Sequence, residues 1–188
     1  SSPDVRFRSI MIAMIFVVFL STLATVPGVD GDFSFISQRI DHFSFQLPEG
    51  QGDSLYFQQK YYINDSFSSN DDTAPMLVYA GNEAPIEEFI KASGFIYVLA
   101  QQFKARIMFI EHRYYGDSLI GSTISDYSFL STEQALADFA AVIQHVHPTQ
   151  NTPVIAVGGS YGGMLAVWLR TKYSHIITGA WGASAPIA

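Results

Sequence analysis

The chain has 188 residues, of which 48 % are apolar, 14 % aromatic and 14 % charged; this supports one domain with a packed core and excludes a disordered or collagen-like chain. Ten basic against seventeen acidic residues give a net charge of -7, and with no basic stripe anywhere nucleic acid is not an expected partner. The absence of cysteine removes thiolate metal sites, thiol nucleophiles and any disulfide framework.

The chain opens with an apolar run, Ile10 to Leu20, preceded by Arg6 and Arg8 and followed by small residues around Ser21, Thr22 and Ala24. This layout predicts a secretory signal peptide over residues 1–24. A membrane anchor is the alternative, but a spanning helix needs about 20 apolar residues, so no stable anchor is expected. Residues 25–37 carry Pro27, Gly28 and Gly31 and read as a linker or processed segment, with the folded domain expected over residues 38–188.

Gln38 to Phe45 and Ser54 to Ile63 are rich in aromatic and β-branched residues and are separated by the turn-like Leu47 to Gly52, which predicts an opening hairpin. Asn64-Asp65-Ser66 is a glycosylation sequon at Asn64, whereas Asn151-Thr152-Pro153 fails because its third residue is proline. Asp65 to Ala74 is polar and reads as a loop. From Pro75 onward, apolar runs alternate with helical patterns: Met76 to Tyr79, Pro85 to Phe103, Arg106 to Ile110, Thr132 to His147, Val154 to Val157, Tyr161 to Tyr173 and Ile177 to Trp181. This rhythm predicts an α/β protein with a mostly parallel sheet and helices on both faces. Ser131 and Gln134 have capping-box spacing, and Leu136, Phe139, Ile143 and Val146 form a core stripe behind them.

The chemistry lies in Gly158-Gly159-Ser160-Tyr161-Gly162-Gly163, a G-x-S-x-G between an apolar strand and an apolar helix, the pattern of a nucleophile elbow. Ser160 is the candidate catalytic nucleophile. A strained serine at so sharp a turn needs glycine at Gly158 and Gly162, where a side chain would collide. The Tyr161 backbone N–H is placed to donate to an oxyanion, and the second donor is expected from Gly81-Asn82-Glu83, with Asn82 the candidate. A phosphate-binding loop fits worse, since no Lys-Ser/Thr pair and no early G-x-G-x-x-G is present.

In this elbow fold the order is Ser, then Asp or Glu, then His. His175 follows Ser160 too closely to serve as base, and His42, His112, His145 and His147 precede it, so each reads as structural. His112, flanked by Glu111 and Arg113, is the nearest to an exception and is expected to hold the neighbouring loop by hydrogen bonds. The histidines have no spacing for a metal site, and no cofactor is called for.

Gln38-Arg39-Ile40-Asp41-His42-Phe43, Tyr61 to Asp65, Gly81-Asn82-Glu83, Glu111-His112-Arg113-Tyr114-Tyr115-Gly116, Glu133 to Asp138 and Gly158 to Gly163 occur in one order. In that order they resemble the lysosomal Pro-Xaa carboxypeptidase and dipeptidyl peptidase II family. The resemblance implies an α/β-hydrolase fold seen up to about its sixth strand, before a helical cap domain. It implies a serine exopeptidase that cleaves peptides next to proline through a Ser160 acyl-enzyme, in an extracellular, lysosomal or vacuolar setting. It also implies that Asn82 and Glu83 face the substrate's polar end, although the chain has Ala84 where the family usually has glycine. For Glu83, tying Arg113 or starting a helix are the alternatives. An esterase or lipase of the same fold, and a catalytically inactive truncated homologue, are the competing readings; as 188 residues alone the chain is expected to be inactive, with the triad Asp and His beyond it and an uncovered sheet edge that lowers its solubility.

Overall fold

The computed structural model describes residues 31–44, 55–69, 73–121, 127–149 and 151–187. The apolar leader, residues 25–30 of the expected linker and the turn at 47–52 lie outside the described residues, whereas the rest of that linker is described and enters the first strand; among the described residues no helix is long and apolar enough to cross a membrane. In chain order the elements are β1 (Asp32–Arg39), β2 (Tyr56–Asn64), β3 (Met76–Ala80), α1 (Ile86–Ala92), α2 (Gly94–Phe103), β4 (Arg106–Ile110), α3 (Thr132–Val146), β5 (Val154–Gly159), α4 (Tyr161–Lys172) and β6 (Gly179–Ala183). The strands form one sheet in the order β1-β2-β4-β3-β5-β6. The first two pairings, β1 with β2 and β2 with β4, are antiparallel; the other three are parallel.

Alternation along the central strands builds two cores, because successive side chains of a strand point to opposite faces. Met76, Val78, Met108, Ile110, Val154 and Ala156 pack with Leu136, Phe139, Ile143, Leu165 and Leu169 of α3 and α4. Leu77, Tyr79, Ile107, Phe109 and Val157 pack with Ile86, Ile90, Ile96 and Tyr97 of α1 and α2 on the other face. This is why all five residues of β3 are buried, and it is the layered arrangement that the strand-helix rhythm predicts.

Three local expectations change. The opening strand runs Asp32–Arg39, earlier than the expected Gln38 to Phe45, and pairs through to Asp32↔Ile63. Its Phe33 and Phe35 face outward, 45 % and 51 % exposed, while Gln38 is buried, so its inward face does not read as apolar. Residues 40–44 instead leave the sheet to meet α3, where the His42 N–H donates to Gln134 Oε1 at 2.9 Å. The single helix expected from Pro85 to Phe103 is broken at Ser93 (φ -94°, ψ 54°) ahead of Gly94. At the start of α3 only half of the capping box forms: Ser131 Oγ accepts from the Gln134 N–H at 3.3 Å, but the Gln134 side chain is engaged by Asp41 and His42.

Asn64 closes β2 at 2 % exposure. Its Oδ1 accepts from the Ser66 N–H at 2.9 Å and its Nδ2 faces the Tyr62 hydroxyl at 3.4 Å, so the side chain of the sequon is buried and engaged within the fold. At the other margin, β6 pairs only with β5 among the described strands, and its Trp181, 40 % exposed, packs against Phe95 of α2 at 4.7 Å between ring centroids.

Candidate active site

β5 delivers the chain into a turn at which Ser160 takes φ 54° and ψ -125° before α4 begins. Such a backbone costs a non-glycine residue about 1–3 kcal/mol and persists only where its surroundings impose it. The Ser160 N–H donates to Ala183 O at 2.9 Å, and its carbonyl accepts from the Met164 N–H at 3.1 Å. The glycines explain the tightness. A Cβ on Gly158 would stand 2.1 Å from Gly162 O, and one on Gly162 would stand 2.6 Å from Ala80 O and 3.2 Å from Asn82 Oδ1. Gly163 is less constrained, with contacts of 3.1 Å to Ala183 O and Ala185 Cβ. The outcome is an exposed serine lifted off the C-terminal end of β5 at the head of a helix.

The loop after β3 flanks this turn. Gly81 donates to Ile110 O at 3.0 Å and Ala84 to Asn82 O at 2.8 Å. Among the described residues no acceptor takes the backbone N–H of Asn82 or of Tyr161. Ala84 is absent from the residues with positive φ, so alanine there imposes no strained backbone. Asn82 Oδ1 is buried without a hydrogen-bond partner, while its Nδ2 donates to Glu83 Oε2 at 3.0 Å.

Glu83 is exposed, and neither structural role weighed for it is realised. Arg113 is held by Asp138 instead. At the start of α1 the carboxylate that takes the Ile86 N–H, at 3.2 Å, belongs to Glu111.

Glu111 is a buried staple: its Oε2 also accepts from the Asp117 N–H at 2.9 Å and the Ser118 hydroxyl at 2.7 Å. Burial pushes its carboxyl above the ordinary glutamate range. Gly116, at φ +56°, has no room for a side chain because a Cβ would meet Glu111 Oε1 at 2.0 Å.

The histidines sort as the sequence predicts. His42 Nε2 lies 2.7 Å from Asp138 Oδ1, and His147 Nε2 lies 3.1 Å from the Thr152 hydroxyl. His145 sits in the last turn of α3, and His175 is exposed beside the Tyr173 ring past the end of α4. His112 is 1 % exposed, with Nδ1 2.7 Å from Arg113 O. Burial lowers its pKa, keeping the imidazole neutral below the usual histidine range. Among the described residues none of these rings hydrogen-bonds Ser160.

Residue-by-residue reading missed what lies behind the site. Arg113 and Asp138, both fully buried, pair through Nε–Oδ2 at 2.6 Å and Nη2–Oδ1 at 2.8 Å. Arg113 Nη1 also donates to Ile40 O at 2.8 Å and Phe129 O at 3.0 Å. Gln38 Nε2 donates to Asp138 O at 2.9 Å, and Gln134 Nε2 donates to Asp41 Oδ1 at 2.6 Å. This polar knot ties the segment after β1 and the start of α3 to the loop that carries His112. The available signal was the pair Gln134 and Asp138, polar residues at i, i+4 on an otherwise apolar helix face.

The family model of the serine carboxypeptidases S28 matches residues 38–188. The chain is 42 % identical to the lysosomal Pro-X carboxypeptidase of Homo sapiens over 174 residues, which is 87 % of this chain and 34 % of that protein. It is 44 % identical to the Mus musculus protein of the same name over 172 residues, 86 % of this chain and 34 % of that one. The thymus-specific serine protease of Mus musculus is 30 % identical over 168 residues, 86 % and 32 % of the two chains.

The chain thus spans about a third of the length of the curated relatives it matches. Among solved structures, a peroxisomal alpha-beta-hydrolase of Saccharomyces cerevisiae superposes with a TM-score of 0.54 at 12 % identity, covering 84 % of this chain and 44 % of that one. A cold-adapted esterase from an Arctic intertidal metagenomic library gives 0.50 at 16 % identity over 80 % and 59 %. These two likenesses show the α/β-hydrolase fold alone. On its family match and the identity to its relatives, the chain belongs to the serine carboxypeptidase S28 family.

Proposed function

We propose that this chain is the nucleophile-bearing part of a serine exopeptidase that cleaves peptides next to proline. The observation that carries the reading is Ser160, strained and exposed at the head of α4, with Tyr161 next in the chain and the Asn82 side chain close to Gly162; the backbone N–H groups of Tyr161 and Asn82, which have no backbone acceptor among the described residues, are assigned as the oxyanion donors. Ser160 Oγ attacks the scissile carbonyl carbon while its proton passes to an imidazole. The two N–H groups take the charge that develops on the carbonyl oxygen. Collapse breaks the C–N bond, and the imidazole returns the proton to the departing amine. Water then repeats the sequence on the ester, releasing the acid and restoring the serine hydroxyl.

The imidazole and its partner carboxylate are assigned to sequence after residue 188, following the Ser, Asp, His order of this fold; that His42, His112 and His147 hydrogen-bond other groups, and that none of the described histidines hydrogen-bonds Ser160, supports this. The 188 residues alone are then inactive. Proline preference rests on relatives named Pro-X carboxypeptidases. Glu83, exposed and free of the structural roles weighed for it, is left to meet the polar end of the substrate with Asn82. The lysosomal relatives and the apolar leader together favour the secretory route.

The test is product analysis with the protein extended through its downstream reading frame. It is offered N-blocked peptides ending in Pro-Xaa and free-amine Xaa-Pro reporters, with Ser160→Ala as control. Release of the residue after proline, or of an Xaa-Pro dipeptide, lost in Ser160→Ala, is the expected result. Cleavage of acyl esters without either peptide product would overturn the proline assignment.

A further inference from the structure

The side chain of Tyr161 forms a group that the acyl-transfer scheme leaves unused. Its hydroxyl lies 3.4 Å from His112 Nε2 and 3.3 Å from the Thr132 hydroxyl, and its ring leans on the His112 ring at 5.7 Å between centroids. His112 is itself fixed: buried, with Nδ1 against Arg113 O at 2.7 Å and Phe139 and Tyr115 packed around its ring. Donation from Nδ1–H to that carbonyl leaves Nε2 as an acceptor, so the Tyr161 hydroxyl donates to His112 and accepts from Thr132. Tyr161 is also the residue whose backbone N–H adjoins the nucleophile, in the first turn of α4. An oxyanion donor is useful only where its direction is set in advance. The glycines of this turn have no side chains with which to set it.

We propose that His112 is a positioning residue for acylation: with Thr132 it clamps the Tyr161 side chain and thereby fixes the aim of the Tyr161 N–H at the reacting carbonyl oxygen. The inference rests on the serine-peptidase reading above. The clamp works with a neutral imidazole. Arg113, Asp138 and Glu83 are the charged groups that bear on it, and burial holds it neutral below the ordinary histidine range. Both hydroxyl distances exceed the usual O–H donor range, as is common before substrate tightens a site.

The experiment is single-turnover acylation by the extended protein, normalised to protein folded by circular dichroism. Tyr161→Phe keeps the ring and the backbone N–H and removes only the clamped hydroxyl. It is expected to slow acylation about tenfold with KM unchanged, as is His112→Ala, and the double variant is expected to be no slower than either single one because one linkage is broken in each. His112→Gln, which restores an acceptor, is expected to recover most of the rate. Wild-type acylation by Tyr161→Phe, while Ser160→Ala abolishes the reaction, would overturn the clamp and leave the serine-peptidase reading standing. Acylation that persists in Ser160→Ala would overturn both.

Discussion

Replacing Gly158 by alanine tests the elbow more sharply than removing the serine, because it alters geometry while keeping every reactive group. The new Cβ would stand 2.1 Å from Gly162 O and 2.3 Å from Gly162 C. Real Cβ contacts do not fall below 3.0 Å, so the first turn of α4 has to retreat by about 0.9 Å. That turn is backbone pinned between Ala80 O and Ala183 O, and no side-chain rotation relieves the clash. A displacement of about 1 Å at a reacting centre costs on the order of 100-fold in rate, so fluorophosphonate labelling of Ser160 in the extended protein is expected to slow by about that factor. Gly159→Ala is the internal control: its Cβ would meet nothing closer than the Tyr79 hydroxyl at 3.7 Å, and labelling within about threefold of wild type is expected. Equal rates for Gly158→Ala and wild type would refute the claim that close approach of β5 and α4 sets the serine.

Two further predictions concern the frame around the site. Asp138→Ala strands the Arg113 guanidinium in a fully buried position and is expected to cost about 3–5 kcal/mol in urea unfolding of the extended protein, with Arg113→Met/Asp138→Leu recovering more than half; a loss under about 1 kcal/mol would contradict the assignment of the knot as structural cement. The lowered pKa of His112, set first by burial, means that as pH falls through 6.5 the unfolded chain gains a proton that the folded chain refuses. Its contribution to stability is therefore present above that pH and lost below it. Glu111, raised from 4.5 by burial, acts with the opposite sign, favouring the folded state as pH falls towards 4.5. His112→Gln is expected to flatten the fall in urea midpoint between pH 7 and the folded-state pKa; an unchanged slope would show that His112 does not carry it.

What was legible in the sequence followed from local chemistry. The parallel strands β3, β4 and β5 are short apolar runs buried on both faces, and the elbow glycines stand where a Cβ would clash. What was not legible depended on contacts distant along the chain. β1 is hidden because Phe33 and Phe35 face outward and Gln38 inward, reversing the usual alternation. Gln134 has capping-box spacing, yet its side chain is taken by Asp41 and His42, about 90 residues away. Asp138 looks like one acidic residue on a helix until Arg113 is placed beside it. Asn64 satisfies its sequon, but tertiary packing buries it.

The central claim, that Ser160 is a nucleophile whose base comes from sequence after residue 188, meets its most direct test in fluorophosphonate labelling of three proteins: the 188-residue chain, the extended protein and the extended Ser160→Ala variant. The account predicts labelling of the extended protein alone. Labelling of the 188-residue chain would show that a histidine within it activates Ser160, and labelling of the Ser160→Ala variant would show that the nucleophile is another residue.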